Sequence, residues 1–358
     1  MSETNPPSLE SVHTTSLPDI LNQLGSSVAI STYQAGKLIF VRVEGDIANT
    51  HFRTFQQPMG LAFDRGRLAI GTRTGVEEFV NQPAVACRLD PPGLNDAVFL
   101  PRSTHHTGNI AGHELEYIGD ELWVVNTRFS CLCTFDRHHS FVPRWRPKFV
   151  TGLTPEDRCH LNGLAVVNGN PRYVTALGAT DSSDEWRANK AHGGVLIDVS
   201  SGEIVTRRLS MPHSPRWHNG KLWILESGAG SICTVDLATG RLETVAHLPG
   251  FTRGFDLVGN FAFVGLSQVR ESAVFSGLPI TDRLTVDERW CGLCVLDLNT
   301  AQVVAFLRFE AGVEEVFAVR VLPGMRYPEL LNEGEDAIAD SFILPDDALA
   351  DVPSSLAR

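Results

Sequence analysis

The sequence predicts an all-β fold, a six-bladed β-propeller, from a recurring apolar strand, a second strand after each copy and a route that closes the ring. The copies of the apolar strand start 54, 49, 53, 38 and 62 residues apart. Such spacing is typical of folds built by radial repetition. The six copies are residues 60–63, 114–117, 163–166, 216–218, 254–257 and 316–319. We expect each to be the innermost strand of one blade.

A turn and a second strand ending in small polar residues follow these copies. Residues 66–72, 120–127 and 219–227 show this pattern clearly. Two apolar strands joined by a tight turn form a hairpin. Four-stranded sheets repeated around a channel form a propeller, so each hairpin predicts the inner half of one blade.

The ring is predicted to close through both ends of the chain, because no complete blade fits after the last repeat. Residues 28–32, 37–43 and 51–55 resemble the outer three strands of a blade without its first strand. Pairing them with the last repeat completes a sixth blade and removes open sheet edges. We expect a flexible segment over 1–18, the propeller over 19–326 and an acidic, partly docked tail over 327–358.

Composition argues against several classes of function. The formal net charge of −12 disfavours nucleic-acid binding, which needs a basic surface. No apolar run is long enough to span a bilayer, and the first residues lack the features of a secretory signal. The expected location is therefore the cytoplasm, with no membrane partner. The seven cysteines are then expected to be reduced thiols that pack in the core.

Three long segments are predicted to gather on one rim of the ring. They are residues 101–112, 180–193 and 268–290. Loops that enter a first strand and turns that follow a second strand open on the same rim. Repeat proteins commonly bind ligands where such insertions gather, so we expect the ligand site at this mouth of the channel.

Histidines precede three of the innermost strands and should converge at this mouth. Aligning the repeats brings together His113, His160 and His213. Three imidazoles can hold one cation, since a catalytic zinc site has three protein ligands and a water. The predicted cofactor is a divalent metal such as zinc. The alternative is that each histidine only ties a loop to the sheet through a hydrogen bond.

Glu315 and Arg253 are predicted at the same level of the channel. A bound metal would polarise the substrate or activate water. Glu315 is then the candidate catalytic base, and Arg253 the candidate partner of a carboxylate or oxyanion. The alternative is an ion pair between these two residues that bridges adjacent blades.

Several arginines are also predicted around the mouth, in a chain where arginine outnumbers lysine 26 to 4. Arginine can hold an anion through two parallel hydrogen bonds. The predicted partner is a small anionic molecule such as a carboxylate, a phosphate or a uronate. The predicted ligand-binding residues are Gln57, Arg73, Arg128, Asn162, Arg216 and Arg270.

Residues 160–165, 214–223 and 249–254 resemble an uncharacterised bacterial family of proteins expected to be propellers. The resemblance runs from about residue 18 to residue 345 and implies the fold without an activity. In architecture alone the chain is similar to gluconolactonase and strictosidine synthase-like propellers, which hold calcium. It is also similar to the amidating lyases, whose propeller holds zinc with histidines from different blades.

Two functions are open at this level. The first is a metal-assisted lyase, hydrolase or isomerase that acts on a small anionic substrate at the channel mouth. The second is a non-catalytic propeller that binds a metabolite or a partner protein. The fold cannot decide between them, because propellers serve both roles.

Overall fold

Six small sheets form a ring around a central channel. The computed structural model describes residues 9–268, 277–332 and 336–353. The innermost strand of each sheet contacts those of its two neighbours, so the ring is closed. The protein is a six-bladed β-propeller, as the repeats predict. We number the blades 1 to 6 around the ring, starting from the blade that contains strands from both ends of the chain.

Blade 1 closes the ring by the predicted route. From the channel outwards its strands are Ala318–Pro323, Ser26–Thr32, Lys37–Glu44 and Ile47–Thr54. The first two pair antiparallel, with Arg320 opposite Ala29. The innermost strand begins two residues later than the sequence pattern predicts, at Ala318 rather than residue 316.

The other five blades follow in chain order, and each has four antiparallel strands whose order from the channel outwards is their order along the chain. Blade 2 contains Leu61–Asp64, Arg67–Gly71, Gly75–Asn81 and Ala97–His106. Blade 3 contains Gly112–Ile118, Glu121–Asn126, Cys131–Thr134 and Val142–Trp145. Blade 4 contains Leu161–Val167, Asn170–Ala176, Gly194–Asp198 and Ile204–Leu209. Blade 5 contains Pro212–His218, Lys221–Glu226, Ser231–Asp236 and Arg241–His247. Blade 6 contains Phe251–Val258, Phe261–Ser267, Gly292–Asp297 and Gln302–Phe309.

Two blades carry a fifth strand on their outer edge. Ser11–His13 pairs antiparallel with Gln302–Phe309 of blade 6. Pro328–Leu330 runs parallel to the start of Ala97–His106 in blade 2. Both additions supply hydrogen-bond partners to edge strands whose backbone groups would otherwise be unpaired.

The longest helix, Ser16–Leu24, packs on blades 1 and 6 through Leu17, Ile20 and Leu21. Their spacing of three and four residues places them on one helix face. The described part of the segment over 1–18 thus contains more regular structure than its polar composition indicates. No helix in the described part of the chain is long and apolar enough to cross a membrane. The other helical segments are Pro83–Ala86, Pro279–Arg283, Asp336–Ala339 and Asp346–Leu349, with 3₁₀ turns at Glu185–Asn189 and Ser227–Ala229.

The hydrophobic core lies between neighbouring blades. In Ser26–Thr32, Val28 and Ile30 face blade 6, whereas Ala29 faces blade 2. Successive side chains of a strand point to opposite faces of the sheet, and here both faces are buried. This double burial explains the continuous apolar runs of the inner strands. Six of the seven cysteines are buried in the core, as expected from the sequence, whereas Cys87 is exposed; all seven are free thiols in this structure.

Glycine recurs at the start of innermost strands because neighbouring blades approach closely there. A Cβ atom on Gly163 would clash with Pro215 of blade 5, and one on Gly60 would lie 2.5 Å from Leu115 Cδ1 of blade 3. Only glycine allows this approach, so the glycine in the apolar repeat is a requirement of blade packing.

The long segments predicted at the mouth differ in structure. The prediction of a loop over 101–112 is wrong for residues 101–106, because Ala97–His106 continues as the outer strand of blade 2, paired with Gly75–Asn81. The remainder of the segment is a loop that reaches the mouth through Asn109 and Ala111. The segment 180–193 contains the 3₁₀ turn Glu185–Asn189 and reaches the mouth. Part of the third segment, residues 269–276, lies outside the described residues.

Candidate functional site

A cavity of about 540 Å³ opens at the mouth of the channel, where the repeats predict the ligand site. Its volume falls in the range of small-molecule sites. All six blades contribute to it, mainly through residues that precede an innermost strand or follow a second strand. The predicted residues that line it are His113, His160, His213, Arg253, Glu315, Gln57, Arg73 and Arg128.

Two predicted ligand-binding residues do not line this cavity. Asn162 is 1% exposed, and its Oδ1 accepts a hydrogen bond of 2.6 Å from Thr175 Oγ1. Arg216 lies further along its strand, beyond a register shift that follows His213, and pairs with buried glutamates. Arg216 lies within the innermost strand, at the position that the repeats align with Glu114, and it pairs with that glutamate instead of reaching the cavity. Arg270 lies outside the described residues.

Irregular backbone aims the side chains at the cavity. The pairing of the two innermost strands shifts register near the mouth in blades 3 to 6. His160 has a φ of 49°, and Gln57 and Ala111 share this left-handed conformation at equivalent positions of blades 2 and 3. The conformation costs a non-glycine residue about 1–2 kcal/mol. Bulges and strained residues cluster where a fold must re-aim functional side chains.

His160 is held by a carboxylate. Its Nδ1 lies 2.7 Å from Asp157 Oδ2, and its ring centroid lies 4.4 Å from the ring of Trp186. The carboxylate can only accept, so Nδ1 carries a proton, and Nε2 is an acceptor in the tautomer with a single ring proton. Among the described residues Nε2 has no hydrogen-bond partner. This nitrogen is therefore free to take a proton from a ligand.

His213 presents the same tautomer from blade 5. Its Nδ1 lies 2.9 Å from both the Met211 carbonyl and Ser227 Oγ. Burial, and then the positive charge of Arg253, hold the pKa of His213 well below its usual value. The ring is therefore neutral near pH 7, with Nδ1 donating to the carbonyl and Nε2 an acceptor.

Arg253 joins two of the predicted residues in the floor of the cavity. Its Nη2 lies 2.9 Å from His113 Nε2, and its Nη1 lies 2.6 Å from Glu315 Oε1. Its guanidinium carbon is 3.8 Å from the ring centroid of Phe317. The ion pair between adjacent blades, which the sequence left as an alternative, is present.

His113 is neutral and uses both ring nitrogens. Burial, followed by the charge of Arg253, lowers its pKa well below the usual value. Thr127 Oγ1 donates to the Leu161 carbonyl and lies 3.3 Å from His113 Nδ1, so Nδ1 donates to the hydroxyl. His113 Nε2 consequently accepts from Arg253.

The three predicted metal ligands do come together. The ring centroid of His113 is 5.1 Å from that of His160 and 5.6 Å from that of His213. All three rings present Nε2 as an acceptor, but Arg253 donates to one of these nitrogens and its charge repels a cation. In the described part of the chain, no group of three metal-ligating side chains has the geometry to hold an ion. The group that contacts Nε2 of His113 in this structure is the guanidinium of Arg253.

The mouth is not uniformly basic. Its lining contains four arginines and four carboxylates. Arg253 pairs with Glu315, and Arg187 pairs with Asp184 at 2.8 Å. The other two arginines, on blades 2 and 3, are exposed and have no side-chain hydrogen bond or ion pair within the described ranges. Within the described lining, the arginines without a carboxylate partner are therefore those of blades 2 and 3.

Repeat alignment missed the pair of Asp157 and His160. An aspartate three residues before a histidine is a signal that the sequence contains. The pair forms because both residues have positive φ, 47° and 49°, in the loop between blades 3 and 4. No residue pattern in the sequence specifies that conformation for two non-glycine residues.

One protein-family model matches most of the chain. The model of a "Domain of unknown function (DUF4915)" matches residues 15–331. The chain belongs to the DUF4915 family. The matched range includes every strand of the six four-stranded blades and all residues of the cavity. The resemblance to an uncharacterised family is confirmed.

Similar solved structures show the fold of this DUF4915 protein and nothing further. The crystal structure of a nidogen/laminin complex has a TM-score of 0.51 at 10% identity and covers 84% of this chain and 99% of that chain. A protein of unknown function from Bacteroides caccae has a TM-score of 0.52 at 9% identity and covers 83% and 98%, respectively. No curated protein matches the chain.

Proposed function

We propose that this protein is an enzyme that performs general acid–base chemistry on a small anionic molecule at the channel mouth, as a lyase, isomerase or hydrolase. The pair of Asp157 and His160 carries this proposal, because its Nδ1 contact leaves Nε2 of His160 as an acceptor in the wall of the cavity. A histidine oriented by a carboxylate in this way is a well-suited general base.

Arg253 is the electrophilic group of the proposed reaction. Its two terminal nitrogens are held by His113 and Glu315, and its buried Nε has no partner among the described residues. A guanidinium fixed in this way stabilises negative charge that develops on a substrate oxygen without reorganising. Glu315 then positions Arg253 and balances its charge, instead of acting as the base that the sequence predicts.

In this mechanism the guanidinium of Arg253 takes the role that the sequence assigns to a metal. Both are electrophiles, and both stabilise an oxyanion. The bond between Arg253 and His113 supports the guanidinium, since a metal at His113 would have to displace it.

A second candidate function is binding without catalysis, with a metabolite or a partner protein as the ligand. The neutral state of His113 and His213 favours it, because buried hydrogen-bonded histidines also build rigid binding surfaces. The two candidates differ in whether His160 moves a proton.

Proton exchange with solvent tests the proposal. The protein is incubated in D₂O with a panel of hydroxy and keto carboxylates, lactones and sugar acids, and proton NMR follows exchange or conversion. We expect turnover of at least one class of compound. His160→Gln should lower its rate by about 10²–10⁴-fold, the usual contribution of a general base.

His106→Gln is the matched control, since His106 is an exposed histidine outside the cavity. This variant should retain the wild-type rate. Equal rates for His160→Gln and the wild-type protein would overturn the assignment of the base. Binding of panel members without exchange or conversion would favour the non-catalytic candidate.

A further inference from the structure

Blades 2 and 3 present an arginine at the cavity rim through the same local sequence. The second strand of each blade, Arg67–Gly71 or Glu121–Asn126, is followed at once by a threonine and an arginine. These arginines are Arg73 and Arg128, and both line the cavity. Two copies of one dipeptide at the same position of neighbouring blades place both guanidinium groups on one side of the mouth.

The backbone contacts of the two arginines are also the same. Arg73 N donates to the Gln56 carbonyl at 2.9 Å, and Arg128 N donates to the Ile110 carbonyl at 3.2 Å. Gln56 and Ile110 each directly precede a residue with φ near 50°. One structural motif, built twice, therefore fixes the main chain of both arginines.

The motif is absent from blades 1, 4 and 5, and the equivalent position of blade 6, residue 269, lies outside the described residues. Two residues after the second strand, blades 1, 4 and 5 have Gln34, Gly178 and Gly228. The two rim arginines therefore come from local sequence in blades 2 and 3 that blades 1, 4 and 5 do not share.

The two arginines are unpaired, in contrast to the other arginines of the cavity. Within the described ranges, neither Arg73 nor Arg128 has a side-chain hydrogen bond or ion pair, whereas Arg187 and Arg253 each pair with a carboxylate. Exposed guanidinium groups on neighbouring blades repel each other, and an anion that contacts both removes this repulsion.

The floor of the cavity, unlike the rim at Arg73 and Arg128, is not suited to binding an anionic group. His113 and His213 are neutral, Glu315 balances Arg253, and Asp157 places a negative charge behind His160. An anionic group of a ligand would find no unbalanced positive charge there, and burying a charge without a partner is costly.

We propose that Arg73 and Arg128 form a clamp for a single anionic group of the ligand, a carboxylate or a phosphate, and that the ligand end beside His160 is uncharged. The reacting end is then a hydroxyl or carbonyl carbon distant from the anionic group. This inference rests on the proposed function only in calling that end the reacting one.

Calorimetric titration with three probes tests the clamp. 4-Hydroxybutyrate has one carboxylate and an uncharged end, succinate has a carboxylate at both ends, and glycerol 3-phosphate has a phosphate and an uncharged end. We expect 4-hydroxybutyrate or glycerol 3-phosphate to bind at least about tenfold more tightly than succinate, which corresponds to about 1.4 kcal/mol. The tighter of these two identifies the anionic group as carboxylate or phosphate.

Substitution of the clamp should weaken binding of the preferred probe. Arg73→Gln and Arg128→Gln should each lower its affinity by about tenfold, the loss expected for a charge-assisted hydrogen bond. Arg187→Gln is the matched control, because Arg187 lines the same cavity but pairs with Asp184. It should change affinity by less than about twofold.

Three results would overturn the clamp: no binding of any probe at millimolar concentration, equal affinity for succinate, or an equal loss in Arg187→Gln. The outcome is separable from that of the proposed function. Binding that depends on Arg73 and Arg128 without proton exchange would retain the clamp and reject the enzyme. Exchange that depends on His160, with binding unaffected by the clamp variants, would reject the clamp alone.

Discussion

The central channel contains two groups of charged side chains, and they differ in how completely they are paired. The deeper group, which we call the channel network, consists of Glu114, Glu116, Arg216 and Arg320. Each arginine contacts both glutamates. All four are mostly buried, and together they join blades 1, 3 and 5 across the channel.

The channel network also satisfies its remaining donors with the main chain. Arg216 Nε donates to the Phe255 carbonyl at 3.0 Å, and Arg320 Nε donates to the Leu61 carbonyl at 2.9 Å. At the mouth, by contrast, Nε2 of His160 and Nε of Arg253 have no partners among the described residues. The fold thus pairs the charged groups of the lower channel with one another and with the main chain, whereas two polar nitrogens at the mouth have no partner in the described part of the chain.

Breaking the channel network should have the largest effect on stability. Arg216→Met removes a buried counter-charge from Glu114 and Glu116, and removal of one partner of a buried ion pair costs about 3–5 kcal/mol. Urea unfolding should show a loss of this size. Arg73→Gln, at an exposed and unpaired mouth residue, should change the free energy of unfolding by less than about 0.5 kcal/mol. Similar losses in both variants would contradict the distinction between the two levels.

Removing Arg253 should allow the three histidines of the mouth to bind zinc, as the sequence predicts. Arg253→Ala frees Nε2 of His113 beside His160 and His213. We expect zinc to stabilise this variant, by about 2.7 kcal/mol at a hundredfold excess over its dissociation constant, and to leave the wild-type protein unchanged in thermal unfolding. The double variant Arg253→Ala, His113→Gln should lose the gain. Equal stabilisation of the wild-type protein would instead support a native metal site.

Acidification should lower the free energy of unfolding through the two buried histidines of the mouth. Burial lowers the pKa of His113 and His213 below the usual 6.5, so the unfolded chain binds protons there before the folded protein does. Stability is therefore complete above pH 6.5 and is lost as the pH falls below it, by about 1.4 kcal/mol for each pKa unit of lowering per histidine. Urea unfolding at pH 7 and pH 5 measures this loss. His213→Gln should reduce it, and an unchanged pH dependence would reject the role of His213.

The exposed ion pair at the rim should have the smallest effect. Arg187 and Asp184 are 48% and 51% exposed, and such pairs contribute little because water screens them. Asp184→Asn should change the free energy of unfolding by less than about 0.5 kcal/mol. A loss as large as that of Arg216→Met would show that an exposed ion pair at the rim stabilises the protein as much as a buried ion pair in the channel.

The sequence predicts the ring well because blade packing leaves a local signal. An innermost strand is buried on both faces, so its sequence is a run of apolar residues. A repeated glycine, at Gly60 and Gly163, marks where neighbouring blades approach closely. Ring closure follows from counting strands. The convergence of His113, His160 and His213 follows from their shared place before an innermost strand.

The pairing of side chains at the mouth could not be predicted in the same way. The contact of Arg253 with His113 joins residues 140 positions apart and depends on rotamers rather than on repeat register. Arg216 lies below the mouth, within strand Pro212–His218, where Glu114 and Glu116 pair with it. The pair of Asp157 and His160 needs left-handed backbone at both residues.

Closure of the ring through both termini has a consequence for folding during synthesis. Ser26–Thr32 leaves the ribosome well before its partner Ala318–Pro323, with a delay on the order of tens of seconds. Until then the inner edge of blade 1 is open and Glu116 lacks the guanidinium of Arg320. A chain that stops before this strand therefore has an exposed sheet edge and an unneutralised carboxylate together. Blade 1 can therefore be completed only after synthesis has passed Ala318–Pro323.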